Sequence, residues 1–234
     1  MIIYFRACEK QETISHVTRY NSTPKTTMIK KCWAALQASV TSEDTIILIH
    51  DSVSDNTLDW LRNTCNTPDL ELVAVPEHEW NYHEHTVTLI DILEKQCNDY
   101  PGELHYIVED DYLHVPNAIR VLEHTFKDSN YFVLSYDYID RYTNPEACVV
   151  LLGPDRHWRT VTSSTMTVMA KGSTWLEHIG ELRAAAPTSN DQVFSDIYKI
   201  NSCLSPIPSL SSHMTDKHQS PFVDWEALWS SIDV

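Results

Sequence analysis

The sequence predicts an α/β fold: one domain on a mixed, mostly parallel central sheet with helices on both faces. Three observations predict it. Short apolar runs rich in β-branched residues alternate with helix-period segments through the first half of the chain. The runs lack polar alternation, as strands covered on both faces do. The 234 residues are 42% hydrophobic and 10% aromatic, enough for a sizeable core in one folded unit.

The elements follow in order. Residues 2–7 read as a buried strand, and residues 26–40 carry Met28, Ile29, Cys32, Trp33, Leu36 and Val40 at helical spacing. Residues 45–50 (TIILIH) form the clearest buried strand and lead into Asp51. Asp55 or Asn56 can cap a helix over 57–64, and 70–75 is a third strand closed by Pro76. A helix over 86–100 ends at Pro101-Gly102, and a fourth strand over 104–108 runs directly into Glu109-Asp110-Asp111. Pro116 starts a helix to about residue 127. Beyond it, 131–138, 147–152 and 158–169 read as strands without intervening helices. Helices at 174–186 and 191–200 precede a tail rich in Ser, Pro and His. The expected division within residues 1–234 is a nucleotide-sugar-binding half, 1–112, and an acceptor-binding half, 113–234.

Composition narrows the function. Thirty-three acidic against seventeen basic residues give a net charge of -16, which repels phosphate backbones and argues against nucleic acid as a partner. It suits recruitment of divalent cations. The start of the chain carries charge by its sixth residue and reads as a strand, not a signal peptide. No window approaches the ~18 apolar residues of a transmembrane segment. Six scattered cysteines without a CxxC pair read as reduced thiols in a cytoplasmic protein. With only four glycines there is neither a GxGxxG nor a GxxxxGK[ST] cradle. A nucleotide would need its phosphates held by other means, and a carboxylate-bound metal is the obvious one.

The triplet Glu109-Asp110-Asp111 and Asp51 both follow buried strands, where open α/β sheets bind ligands. Adjacent carboxylates repel, so a cation favours such a cluster, and all-oxygen ligation selects Mg²⁺ or Mn²⁺. The competing reading is a solvated acidic turn opening a helix.

The segment HYIVEDDYLHVPNAI (residues 105–119) resembles the DxD motif of glycosyltransferases with the glycosyltransferase A (Rossmann-like) fold. IILIHDSVSDNTLDWL (46–61) is similar to the strand, Asp, loop and helix that open their nucleotide site. SNDQVFSDIY (189–198) resembles the stretch where inverting members place a catalytic base. The resemblance covers about residues 1–225 and is with small viral and bacterial members. It implies a nucleotide-diphospho-sugar donor, UDP-sugar by default, a sugar or glycan acceptor, and Mn²⁺ or Mg²⁺. It also implies roles. Asp111 would ligate the metal, with His213 in SLSSHMTDKH completing the site, and Glu109 or Asp110 would contact ribose or metal. Asp51 would lie near the nucleobase beside Arg6 and Ala7, and Asp191 would be the base of an inverting transfer. The triplet departs from Asp-X-Asp, so the division of labour between Glu109 and Asp110 stays open.

Two other readings compete. His83 and His85, with Asp110 or Asp111, make a candidate metal-dependent hydrolase site, although EHEWNYHEHT reads as a loop of solvated histidines. In the transferase reading that loop lies beside the donor, with Asn81 a polar contact. The second alternative is a non-catalytic sugar- or nucleotide-binding module. Of the seven tryptophans, Trp33 and Trp60 read as core, while Trp80, Trp158 and Trp225 sit in or beside loops where a ring can stack on a sugar.

Overall fold

The computed structural model describes residues 1–10, 18–76, 82–153 and 156–234. Its first part winds β1 (Ile2–Cys8), α1 (Lys25–Gln37), β2 (Thr45–Asp51), α2 (Asp55–Asn63), β3 (Leu70–Ala74), α3 (Tyr82–Asp99) and β4 (Leu104–Glu109). There follow β5 (Tyr112–His114), α4 (Ala118–Phe126), β6 (Phe132–Val133), α5 (Asp140–Thr143), β7 (Val150–Leu152) and β8 (His157–Val161). The chain closes with β9 (Met169–Lys171), α6 (Gly172–Glu177), α7 (Ile179–Ala185), α8 (Gln192–Ile197), β10 (Cys203–Ile207), β11 (Ser211–His213) and α9 (Trp225–Ser230).

Nine strands form one sheet in the order β3-β2-β1-β4-β9-β6-β10-β8-β7. The β3-β2-β1-β4 block is parallel, β9 runs against both β4 and β6, and β8 runs against β10 and β7. The expected mixed, mostly parallel sheet is therefore present.

Both faces are covered, and the strand period of two shows how. On β1, Ile2 and Tyr4 enter one core while Ile3, Phe5 and Ala7 enter the other. On β2 the split is Ile47 and Ile49 against Ile46 and Leu48. The first core packs on Leu89, Leu93 and Cys97 of α3 with Trp175 of α6. The second packs on Trp33 of α1, Leu61 of α2 and Leu122 of α4. A third, smaller core joins Met28 and Cys32 of α1 to Leu113, Met214, Trp225 and Trp229. It holds a second sheet of two antiparallel strands, β5 and β11.

Several expectations need correction. The stretch read as one strand over 158–169 is two, because residues 162–168 carry the chain past β10 and β6 to the middle of the sheet, beside β4. The strand expected over 131–138 pairs in the sheet only at Phe132–Val133. The helix expected over 174–186 breaks at His178, whose φ is -120°. Helix α3 begins at Tyr82, so His83 and His85 are helical and not in a loop. Ser54, not Asp55 or Asn56, precedes α2, and Asn117, with φ at 65°, stands between Pro116 and α4. Trp158 and Trp225 are 3% and 2% exposed, which removes both as sugar platforms. Trp80 and Asn81 lie outside the described residues.

One buried ion pair ties the second core to its rim. Asp44 is buried and accepts from Arg120 Nη2 at 2.5 Å and from the Thr41 amide at 2.9 Å. Burial alone would raise the Asp44 carboxyl pKa, but Arg120 and Thr41 outweigh it and hold it below the usual range. A carboxyl held low stabilises the fold above its unfolded pKa, and the contribution fades as pH falls through the folded value. Arg120→Ala should therefore cost ~1.5–3 kcal/mol at pH 7. Thermal unfolding of both proteins should show that gap narrowing once pH drops below ~4.

Candidate active site

The parallel block sets the site. β1, β2 and β4 end together: Cys8 lies opposite Asp51, and Arg6 lies opposite Glu109. Arg6, Asp51 and the acidic triplet therefore share the carboxyl edge of the sheet. Immediately beyond, β5 pairs with β11 in a register that puts His213 opposite Tyr112. The Met214 amide donates to the Asp111 carbonyl at 2.8 Å, fixing His213 against the triplet.

Each carboxylate of the triplet meets its own cationic or ionisable partner. Arg6 Nη1 lies 3.6 Å from Glu109 Oε1, and Thr167 Oγ1 donates to Glu109 Oε2 at 3.3 Å. Lys25 Nζ donates to Asp110 Oδ1, while the Cys8 amide donates to Asp110 Oδ2 at 2.8 Å. His213 Nε2 sits 3.1 Å from Asp111 Oδ2. The His213 ring stacks on Tyr112 at 5.1 Å and meets the Tyr138 hydroxyl through Nδ1 at 3.3 Å. His218 is half-buried and stacks on both Tyr138 and His213.

The electrostatics follow from these pairs. Burial pushes Glu109 up, with Arg6 pulling it back and Asp111 adding to the rise. Burial disfavours the Lys25 charge, but Asp110 and Asp111 outweigh it and hold the amine above its ordinary value. Burial opposes ionisation of both His213 and Asp111, yet their mutual attraction wins. The His213 pKa rises, and Asp111 falls well below the usual carboxylate range. Asp191, just before α8, is solvent-exposed and makes no side-chain cap bond to that helix. The protein packed around it still pushes its carboxyl up, against the pull of Arg6.

The donor set admits a divalent ion in one way. Asp111 Oδ2 and His213 Nε2 are 3.1 Å apart. Two adjacent ligands of an octahedral ion, each at about 2.1 Å, would be separated by roughly that much. Among the described residues no group of three or more His, Cys, Asp or Glu side chains is placed to hold a metal. The pair therefore fits an ion that takes its remaining oxygens from a ligand and water, as Mg²⁺ does with phosphates.

Other expected residues fall as follows. Asp51 is 7% exposed at the end of β2 and accepts from Ser52 Oγ at 2.9 Å. The Ala7 side chain is fully buried in the second core, so only its backbone can face a ligand. His83 and His85 do not converge on the triplet. Two residues apart on a helix they point in different directions, and His83 Nδ1 meets Ser189 Oγ at 3.0 Å. Of two further cations not named above, Arg159 is held by buried Asp137, and Lys171 pairs with Leu104 at the opposite end of β4. The sequence reading passed over Lys25, Tyr138 and Thr167. Lys25 follows Pro24 at the start of α1, a placement that hints at a helix terminus but names no partner.

The sheet topology is that of the glycosyltransferase A fold. The assignment rests on S. aureus TarS, residues 1–349, which aligns with 87% of this chain at a TM-score of 0.50 and 12% identity. This chain spans 56% of that structure's length. The glycosyltransferase GlyE of Streptococcus pneumoniae TIGR4 aligns at 0.48, with 8% identity, over 86% of this chain and 44% of its own. The galactosyltransferase LgtC, solved with donor and acceptor sugar analogs, aligns at 0.43 and 11% identity, over 86% and 71%. No family model and no curated protein matches the sequence.

The Lys25–Asp110 pair is testable by itself. Lys25→Met leaves a buried carboxylate without its cation and should cost ~1.5–3 kcal/mol in denaturant unfolding. The double variant with Asp110→Asn should recover part of that loss, giving a non-additive cycle. Additive losses would show that the two side chains do not interact.

Proposed function

We propose that this chain transfers a sugar from a nucleotide-diphospho-sugar, with a UDP-sugar favoured, to a sugar or glycan acceptor. The observation that supports it most is the Asp111–His213 pair at the carboxyl edge of a parallel sheet, the edge at which Asp51 also ends its strand. UDP is the first nucleotide to test, because TarS has also been solved in complex with UDP, a structure that aligns at a TM-score of 0.48.

In this reading Asp111 and His213 hold Mn²⁺ or Mg²⁺. The cation, when bound, neutralises charge on the departing diphosphate as a Lewis acid. The rest is the work of this chain's residues. Asp51 and Arg6 line the nucleotide side, with the Ala7 backbone between them. Glu109 accepts from the ribose or supports the cation, and Asp110, already held by Lys25 and the Cys8 amide, keeps the turn in shape. Asp191 takes the proton from the acceptor hydroxyl as its oxygen bonds to the anomeric carbon and the bond to the diphosphate oxygen breaks. Attack from the face opposite the leaving group inverts configuration. A base whose pKa is raised toward the working pH transfers protons more effectively, and the direction found for Asp191 suits that task. Residues 1–112 serve the donor and residues 113–234 the acceptor, with His213 of the second half reaching back to the cation. No helix among the described residues is long and apolar enough to cross a membrane.

Calorimetric titration of UDP with and without Mn²⁺ checks the site. The wild-type protein should bind UDP more tightly with Mn²⁺, and Asp111→Ala or His213→Ala should abolish that Mn²⁺-dependent gain. Tight Mn²⁺-dependent binding by both variants would refute the proposed ligands. Asp191→Asn should keep UDP affinity and lower the rate of sugar release from the donor by ~10²–10⁴-fold. An unchanged rate would remove Asp191 as the base.

A further inference from the structure

Beyond the Asp111–His213 pair, on the side away from Asp51, the molecule displays an unusual aromatic residue. Phe222 is 70% exposed and has φ at +71°, a left-handed conformation that is an outlier for a bulky side chain. Its ring packs edge to face on Tyr142, at 5.3 Å and 78°. Such strain persists only where the surroundings enforce it, and here they do. The Ser220 amide donates to Ser212 Oγ at 2.9 Å, and Trp225 Nε1 donates to the Ser220 carbonyl at 2.7 Å. Asp224 accepts from the Ala227 amide at 2.9 Å, fixing the far end of the loop. The ring is therefore held out to solvent on a loop anchored to the strand that carries His213.

Tyr142 is equally fixed. Its hydroxyl donates to Asp137 Oδ2, and the Arg159 guanidinium lies 4.6 Å over its ring. One turn earlier Tyr138 meets His213, so the segment that carries Tyr142 starts beside the triplet. The sheet order sets the direction of that segment. β1 and β2 lie on one side of β4, and β6, which feeds Tyr138 and α5, lies on the other. β6 and β4 both run against β9, so both deliver their chains to the same edge of the sheet.

We propose that the exposed Phe222 ring, braced edge to face by Tyr142, is a shelf that seats a pyranose ring of the acceptor. The proposal rests on the transferase reading for the reaction, but the shelf is argued from its own geometry. A pyranose presents a face of C–H bonds, and an aromatic ring offers a negative face that such a surface packs against. The shelf lies on the Tyr138 side of the site, so a glycan resting on it extends toward the Asp111–His213 pair from the side opposite Asp51. A nucleobase on the Asp51 side does not compete for it.

The test is saturation-transfer NMR with three probes: methyl β-D-galactopyranoside, methyl α-D-glucopyranoside and methyl N-acetyl-β-D-glucosaminide. Each is measured with UDP and Mn²⁺ present, on wild type, Phe222→Ala and Phe222→Trp. At least one glycoside should show saturation of its ring protons on wild type. Phe222→Ala should weaken its binding about tenfold, and Phe222→Trp should restore it. Absence of any glycoside signal from wild type, or equal binding by Phe222→Ala, overturns the shelf. UDP is titrated into the same samples as a separate readout. Failure of wild type to bind UDP counts against the transferase reading, while the glycoside series still decides the shelf.

Discussion

Three consecutive carboxylates at the end of a buried strand are the constraint around which this molecule is arranged. Left alone, Glu109, Asp110 and Asp111 would repel one another and resist burial. The fold answers with three partners from three separate parts of the chain: Arg6 from β1, Lys25 from α1 and His213 from β11. Each partner ties its segment to the end of β4. The acidic turn thereby joins the first strand, the first helix and the C-terminal small sheet, and the third core of Met28, Leu113, Met214 and Trp225 packs behind that junction.

The same arrangement separates duties among similar groups. Asp110 is engaged by Lys25 and the Cys8 amide, and Glu109 by Arg6 and Thr167. Asp111 faces a histidine, the partner that can itself become a ligand. Burial, strand register and partner identity therefore give three chemically alike residues different environments. The buried histidines elsewhere do different work. His114 is pushed down to about 4 by burial, accepts from or donates to Tyr106 and stays neutral, so it serves packing.

The parallel half of the fold was legible because its signals are local. TIILIH is an unbroken apolar run and residues 26–40 carry apolar side chains at helical spacing, so each must be buried. The placement of the triplet and Asp51 at strand ends followed from the same reading. The second half was harder, since its strands are short and their pairing is decided by distant partners. β10 contains Pro206, which argues against a central strand. It is tolerated because β6 pairs only with Cys203 and Leu204, leaving no ladder partner on that side at position 206. β5 and β11 are three residues each, too short to show a period, and their pairing brings His213 to the triplet. His83 and His85 read as a loop because EHEWNYHEHT lacks apolar spacing, yet the helix extends back through them to pack at Ser189. Lys25 was invisible as a site residue because a lysine at a helix start carries no sign of the carboxylate it meets 85 positions later.

The central claim is that Asp111 and His213 together present a cation to a nucleotide diphosphate at the carboxyl edge of the sheet. A crystal structure with UDP and Mn²⁺, collected at a wavelength where manganese scatters anomalously, tests it most directly. The account predicts one anomalous peak contacting Asp111, His213 and the diphosphate, with the base on the Asp51 side. Manganese held by other residues, or UDP bound away from the ends of β1, β2 and β4, would contradict it.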